Sequence, residues 1–212
     1  MVDHTRQDFA LLETLLLVDG IYTLGDRHIQ RLLASAGYFH FTISASAVTD
    51  ALTSYAQTLP GGSWRVRMCV SRTGHVLLEH RPLQPLPAPP LTVALAHAPV
   101  TRDDIFLTHK TTHRVVYDLR RADHPDVFDV LLWNEQGELT EFTTGNIVVE
   151  LDGSRLTPAC TSGLLGGTLR AELIDRGEIH EAILPRTVLP RASRLWFINS
   201  VRGQVEVRPI SM

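Results

Sequence analysis

Five prolines between Pro82 and Pro90 constrain this chain more than any other feature of its sequence. They lie in the segment PLQPLPAPPL. Proline lacks a backbone N–H and has a fixed φ, so this segment fits neither a helix interior nor a central strand. It is therefore the predicted domain boundary. We expect a small N-terminal α/β domain over residues 1–84, a proline-rich linker over 85–90 and a larger C-terminal domain over 91–212.

Turn residues between apolar runs predict the elements of the N-terminal domain. The segment DFALLETLLLVDGIYTL indicates a β-hairpin that turns at Asp19-Gly20. Apolar residues at helical spacing follow, with Asp26 placed as an N-cap, and SASAVTDALTSYAQTL predicts a second helix. Two strands turning at Thr73-Gly74 complete the domain.

The C-terminal domain is predicted to consist mainly of strands. LTVALAHAPV reads as a strand, HKTTHRVVYDLRRA as the start of a helix, and a meander follows with turns at Gln136-Gly137 and Asp152-Gly153. GGTLRAELIDRG predicts a helix that ends at Gly177, and RLWFINSVRGQVEV predicts the closing strands. The fold class expected for the whole chain is α+β with two lobes.

Charge and composition exclude several classes of protein. The 212 residues carry a formal net charge of −3 with acids and bases mixed, whereas nucleic-acid binding needs clustered Lys and Arg. No apolar run has membrane-spanning length, and no signal segment is recognisable. The only cysteines, Cys69 and Cys160, are far apart, which suits a reducing cytoplasm better than a disulfide scaffold. We therefore expect a cytoplasmic protein with a small-molecule substrate.

Common catalytic motifs are missing from the sequence. The ten histidines form no metal-binding pattern with neighbouring acids, so no metal site is predicted. No Gly-x-Ser-x-Gly elbow is present, and GLLGG at 163–167 is neither a Walker loop nor a dinucleotide fingerprint.

Lys110 is the first candidate for a chemical role. It lies within IFLTHKTTHRVVYD, between an apolar run and two threonines, and the nearest acids are Asp104 and Asp118. An ordinary lysine at a strand end would extend into water. A reactive amine is the alternative, because burial away from acids lowers the pKa of a lysine toward the working range.

Three further candidates also admit ordinary interpretations. The glycine cluster at 163–167 runs into a helix at Thr168, where unpaired N–H groups suit a phosphate, although many such turns simply start a helix. Glu141 stands on a strand and is either solvent-facing or buried with a partner. Arg31 lies on the first predicted helix and is either solvated or a ligand-binding residue.

Together and in this order, the motifs resemble those of class IV aminotransferases, the fold-type IV pyridoxal-phosphate (PLP) enzymes. The matching segments are RHIQRLLASAGYFHF, THKTTHR, GELTEFTTGNIVVELDGSRLTP, SGLLGGTLRAELI and FINSVRG. The resemblance covers the chain from about Phe9 to the C-terminus. It implies a small N-terminal lobe and a larger C-terminal lobe that has a barrel-like sheet and carries the PLP lysine.

The resemblance also implies roles for individual residues. Lys110 matches the lysine that binds the C4′ carbon of PLP and then shuttles the substrate proton. Glu141 matches the carboxylate that pairs with the pyridine nitrogen, and Arg31 matches an arginine that binds the phosphate. The other matching cofactor-binding positions are Gly167, Thr168, Leu169, Asn199 and Ser200.

Within the family, FALLET and HKTT look closest to aminodeoxychorismate lyases. The implied reaction converts 4-amino-4-deoxychorismate to 4-aminobenzoate and pyruvate, a step of folate biosynthesis. A class IV aminotransferase acting on a branched-chain or D-amino acid is the alternative, and a non-catalytic protein that keeps the fold is a third hypothesis. The resemblance further implies a homodimer. The chain begins almost at FALLET, so we expect less cover on the substrate side than in free-standing members.

Overall fold

The computed structural model describes residues 9–210, so residues 1–8, the start of the expected N-terminal domain, lie outside the described part. The chain divides into two compact units. The first unit extends to Pro85 and includes His109–His113; the second contains Leu86–Thr108 and the chain from Arg114 onward. The division at Pro85 falls inside the proline-rich segment. The sequence places the segment around Lys110 in the C-terminal domain. In the structure it belongs to the first unit, because its backbone is hydrogen-bonded to the first strand of that unit.

A four-stranded sheet with strand order β2-β1-β3-β4 forms the frame of the first unit. Its strands are β1 Leu11–Val18, β2 Ile21–Tyr22, β3 Ser63–Val70 and β4 Val76–Pro82. The predicted hairpin at Asp19-Gly20 is confirmed: both residues have positive φ, 47° and 84°, which a tight turn between antiparallel strands requires. The predicted pair turning at Thr73-Gly74 is confirmed as β3 and β4.

Two helices complete the first unit, α1 over Gly25–Phe39 and α2 over Ala45–Gln57. The prediction that Asp26 caps α1 is wrong, because the helix begins one residue earlier and Leu24 is its N-cap. Asp26 lies in the first turn instead, where a carboxylate still interacts favourably with the helix dipole. Ser44 caps α2, and its hydroxyl accepts a hydrogen bond from the Ala47 N–H at 3.3 Å.

The second unit is built on a curled, half-barrel sheet of eight strands in the order β10-β9-β8-β11-β12-β5-β6-β7. The strands are β5 Leu91–Leu95, β6 Asp129–Trp133, β7 Leu139–Phe142, β8 Asn146–Leu151, β9 Ser154–Pro158, β10 His180–Ala182, β11 Arg194–Asn199 and β12 Gly203–Pro209. The α-helices of this unit are α3 Ile105–Thr108, α4 Val115–Ala122 and α5 Thr168–Asp175. These elements confirm the predicted α+β class with a barrel-like C-terminal sheet.

The core of the second unit lies on the sheet, where the apolar side chains of neighbouring strands meet. Leu139, Phe142, Ile147 and Phe197 are at most 1% exposed and belong to one cluster. Strand β7 is at the edge of the sheet, yet all four of its residues are buried. A polar side chain on β7 therefore needs a partner. Within residues 9–210, no helix has the length and apolarity that crossing a membrane would need.

Candidate active site

Lys110 belongs to a short segment that lengthens the first sheet. Its carbonyl accepts a hydrogen bond from the Leu12 N–H at 2.9 Å, and the Thr112 N–H donates to the Ala10 carbonyl at 2.9 Å. Leu11 and Thr111 form an antiparallel bridge between these two bonds. Strand β2 occupies only the far end of the same edge of β1, at Leu17 and Val18. The backbone of Lys110 is thus held by strand pairing, and its side chain is half-buried.

The side chain of Glu13 lies at the centre of a buried polar cluster beside the Lys110 segment. Glu13 is 1% exposed and receives hydrogen bonds from Arg31 and from the Nδ1 atom of His28 at 2.7 Å. Burial alone would raise the pKa of Glu13, but the charge of Arg31 and the hydrogen bonds from His28 and Arg31 outweigh burial and lower it to about 2. The carboxylate is therefore ionised, so His28 must be the donor of their shared hydrogen bond.

Burial favours the neutral form of His28. Burial lowers the pKa of His28 most strongly, Glu13 opposes that effect, and the positive charges of Arg31 and Lys110 lower the pKa further. Lys110 belongs to the same compact unit as this cluster. The first unit therefore brings together two predicted site residues, Arg31 and Lys110.

The orientation of Arg31 restricts how it can bind an anion. Its Nε and Nη2 atoms donate to the two carboxylate oxygens of Glu13, at 2.9 and 2.6 Å, and its side chain is 15% exposed. A solvated arginine, the ordinary interpretation, does not fit these contacts. The phosphate role of Arg31 stays a prediction.

Glu141 is buried on the edge strand β7, with 4% of its surface exposed. Its Oε1 atom accepts a hydrogen bond from the Tyr117 hydroxyl at 2.7 Å and one from the Leu165 N–H at 3.3 Å. The solvent-facing alternative for Glu141 is therefore excluded. A buried carboxylate held in this way is suited to pair with a cationic group.

The glycine cluster opens α5 as predicted. Gly167 is the N-cap of α5, in an extended conformation and with no side-chain cap on the helix; Thr168 is buried and Leu169 is half-buried. A Cβ atom added to Gly167 would lie 1.9 Å from Oδ1 of Asn146, the first residue of β8. Only glycine allows this approach, so the turn is set by its contact with Asn146.

Asn199 organises the turn between β11 and β12. Its Oδ1 atom accepts hydrogen bonds from the N–H groups of Val201 and Arg202, and its Nδ2 atom donates to the Thr144 carbonyl at 3.1 Å. Ser200, the next residue, is 9% exposed. The cofactor roles of Asn199 and Ser200 stay predictions.

The family model of the class IV amino-transferases matches residues 10–210 of the chain. The chain belongs to the class IV aminotransferase family. This finding confirms the resemblance drawn from the motifs, and it makes the protein an enzyme of a PLP-dependent family.

Individual relatives of the chain carry two kinds of name. A Schizosaccharomyces pombe protein provisionally named aminodeoxychorismate lyase is 32% identical over 92% of this chain and 87% of its own length. A Mesorhizobium loti crystal structure provisionally named amino-acid aminotransferase is 32% identical, covers 96% of this chain and 100% of its own, and has a TM-score of 0.89. The 4-amino-4-deoxychorismate lyase of Pseudomonas aeruginosa, 21% identical over 94% of this chain and 82% of its own, shares the fold with a TM-score of 0.81.

Asp129 is a buried acid that was not predicted from the sequence. It is 1% exposed, and its carboxylate accepts hydrogen bonds from the backbone N–H and hydroxyl groups of both Thr143 and Thr144. Asp129 thereby fixes the loop that leads from Glu141 to Asn146. The sequence contains one signal for this role, because Asp129 is an acid at the start of the apolar strand DVLLW. A buried carboxylate at such a position needs several hydrogen-bond donors.

Proposed function

We propose that this protein is a PLP-dependent lyase that converts 4-amino-4-deoxychorismate to 4-aminobenzoate and pyruvate. The reaction is supported above all by the 32% identity to the Schizosaccharomyces pombe relative over 92% of the chain. The segments FALLET and HKTT, which resemble the lyase branch, point the same way.

The described residues fit PLP by their chemistry. Lys110 is the only lysine among the 212 residues, so one side-chain amine is available to bind the cofactor aldehyde. Glu141 supplies a buried carboxylate for the ring nitrogen, and the start of α5 presents backbone N–H groups and the positive end of a helix dipole to a phosphate. Bound PLP supplies an electron sink for the charge left when a proton departs from the substrate.

Lys110 carries the proton transfers in the proposed reaction. Its Nζ amine removes the proton from the ring carbon that bears the substrate amino group. The electron pair of that C–H bond enters the ring and the bond from the neighbouring carbon to the enolpyruvyl oxygen breaks, so the ring becomes aromatic. The enolpyruvate that leaves takes up a proton and becomes pyruvate. By the family resemblance, Arg31 and the start of α5 would hold the phosphate, and Glu141 would keep the ring nitrogen protonated.

Transamination is the second candidate function. It is favoured by the Mesorhizobium loti structure, which is also 32% identical to this chain and is named as an aminotransferase. In that reaction Lys110 would remove the proton from the Cα atom of a branched-chain or D-amino acid, and PLP would supply the chemistry that carries the amino group. Both reactions use Lys110, Glu141 and Arg31 in the same roles, so substrate tests separate them.

The two functions are distinguished by product assays on the PLP-loaded protein. With 4-amino-4-deoxychorismate as substrate, we expect release of pyruvate and 4-aminobenzoate in equal amounts. With D- or L-amino acids and 2-oxoglutarate, we expect no glutamate. Glutamate formation without pyruvate release would overturn the lyase and establish the aminotransferase. No turnover in either assay, with a spectrum unchanged by added PLP, would favour the non-catalytic protein.

A homodimer is proposed on the family resemblance. One chain has a mass of 23.6 kDa, and light scattering is expected to give twice that mass. A mass equal to that of one chain would contradict the proposal.

A further inference from the structure

The hydroxyl of Tyr117 is directed at the carboxylate of Glu141. The O–H donates to Oε1 at 2.7 Å, and the two side chains are 6% and 4% exposed. Tyr117 lies in α4, and its ring packs in a buried apolar cluster with Leu107 and Val130. The position of the hydroxyl is therefore set by the packing of the ring.

Two features keep the Tyr117 hydroxyl a hydrogen-bond donor to Glu141. Burial, followed by the negative charge of Glu141, raises the pKa of Tyr117 well above its ordinary value of 10.0, so the hydroxyl keeps its proton at neutral pH. The guanidinium of Arg114 covers the tyrosine ring at 4.5 Å from its centre and also donates to the Thr143 carbonyl at 2.7 Å. Arg114 thus ties the ring to the end of the strand that carries Glu141.

The hydrogen bond from the Tyr117 hydroxyl affects both the charge and the orientation of the Glu141 carboxylate. Burial disfavours a charged carboxylate, whereas a hydrogen bond to one of its oxygens favours the ionised form and fixes the plane of the group. The Leu165 N–H reaches the same oxygen at 3.3 Å, a longer contact than the 2.7 Å of the hydroxyl. The tyrosine is therefore the stronger of these two donors.

We propose that Tyr117 is a positioning residue, which keeps Glu141 ionised and oriented for the ring nitrogen of PLP. This inference rests on the proposed function, because it concerns the carboxylate assigned to that nitrogen. Tyr117 itself acts only through Glu141. It connects helix α4 to the edge strand β7 that carries Glu141.

The substitution Tyr117→Phe tests this role with the loss of one oxygen atom. It keeps the ring, its packing and the contact with Arg114, and removes only the donor to Glu141. The matched control is Tyr55→Phe, which removes a hydroxyl that contacts the exposed His80 at 2.8 Å. We expect Tyr117→Phe to weaken PLP binding about tenfold, the effect of losing a hydrogen bond to a charged group, and Tyr55→Phe to leave it unchanged.

The full test is a double-mutant cycle with Glu141→Gln, measured by titrating the cofactor-free proteins with PLP. Positioning through Glu141 predicts that Tyr117→Phe has little further effect on affinity once Glu141 is replaced. The same loss of affinity in both backgrounds would overturn the proposal, as would a Tyr117→Phe variant that binds PLP like the wild type. If the wild type itself does not bind PLP, the proposed function and this inference both fail; if only the Tyr117 comparison fails, the function stands.

Discussion

Arg31 donates two parallel hydrogen bonds to Glu13, from Nε to Oε1 at 2.9 Å and from Nη2 to Oε2 at 2.6 Å. One residue lies on β1 and the other on α1, so this pair joins the sheet to the helix of the first unit. The carboxylate of Glu13 therefore holds the Nε–Nη2 edge of the guanidinium. The same strand holds the backbone of Lys110 through Leu12, the residue before Glu13. Residues Ala10–Glu13 thus position both the amine and the arginine.

Replacing Glu13 by Gln should destabilise the protein by about 3–5 kcal/mol, because it leaves the Arg31 charge buried without its carboxylate. Chemical denaturation would measure the loss. Glu79→Gln is the matched control: Glu79 pairs with Arg67 at 3.1 Å, but its side chain is 59% exposed, and the expected cost is about 0–1 kcal/mol. Equal costs for the two variants would contradict the role given to the Glu13 cluster.

Acid should destabilise the protein in two pH ranges. The folded-state pKa values of His28 and Glu13 are both depressed, so the unfolded chain binds protons more readily and stability falls as pH falls. The His28 contribution begins to be lost near its ordinary pKa of 6.5, and the Glu13 contribution is lost between 4.5 and about 2.

The variant His28→Gln should flatten the first of these two ranges. Stability measured by denaturation at a series of pH values checks this, with the exposed His80→Gln as the control that should follow the wild type. If the stability of His28→Gln falls below pH 6.5 as steeply as that of the wild type, groups other than His28 cause the acid sensitivity.

Gly167→Ala should disrupt the start of α5. The added Cβ would meet Oδ1 of Asn146 at 1.9 Å, and Asn146 is held by its hydrogen bond to the Leu165 carbonyl at 2.9 Å. We expect a loss of about 1–3 kcal/mol in stability and weaker binding of PLP. In the adjacent Gly166→Ala, the nearest atom to the new Cβ is Cys160 Sγ at 3.9 Å, so its stability should match the wild type. Loss of stability in both variants would show that the Asn146 contact is not the cause.

The elements of this fold were largely predictable because their signals are local. Asp19-Gly20 gives a hairpin wherever it separates two apolar runs, and Gly177 ends a helix through its own positive φ of 68°. The N-cap of α1 was not predicted, because it is Leu24 in a left-handed conformation. Nothing in the sequence marks this leucine as an N-cap. Only pairing with β1 explains why the Lys110 segment joins the first unit, and such pairing between distant segments cannot be deduced from local spacing.

The candidate site, too, was predictable only in part. The motifs were sufficient to nominate Lys110 and Glu141, since residue type and order carry that information. The contacts around the site were not predicted: Glu13 binds both His28 and Arg31, and Tyr117 donates to Glu141, through contacts that exist only once the chain has folded.

The central claim is that Lys110 binds the cofactor, and borohydride reduction followed by peptide mass spectrometry tests it most directly. The chain contains no other lysine, so a lysine adduct can form at one position only. Lys110→Arg is the matched control, because it keeps the positive charge but removes the nucleophilic amine. We expect a reduced pyridoxyl adduct on the Lys110 peptide of the PLP-treated wild type and none in Lys110→Arg. Absence of the adduct from the wild type, or an equal amount in the variant, would contradict the claim.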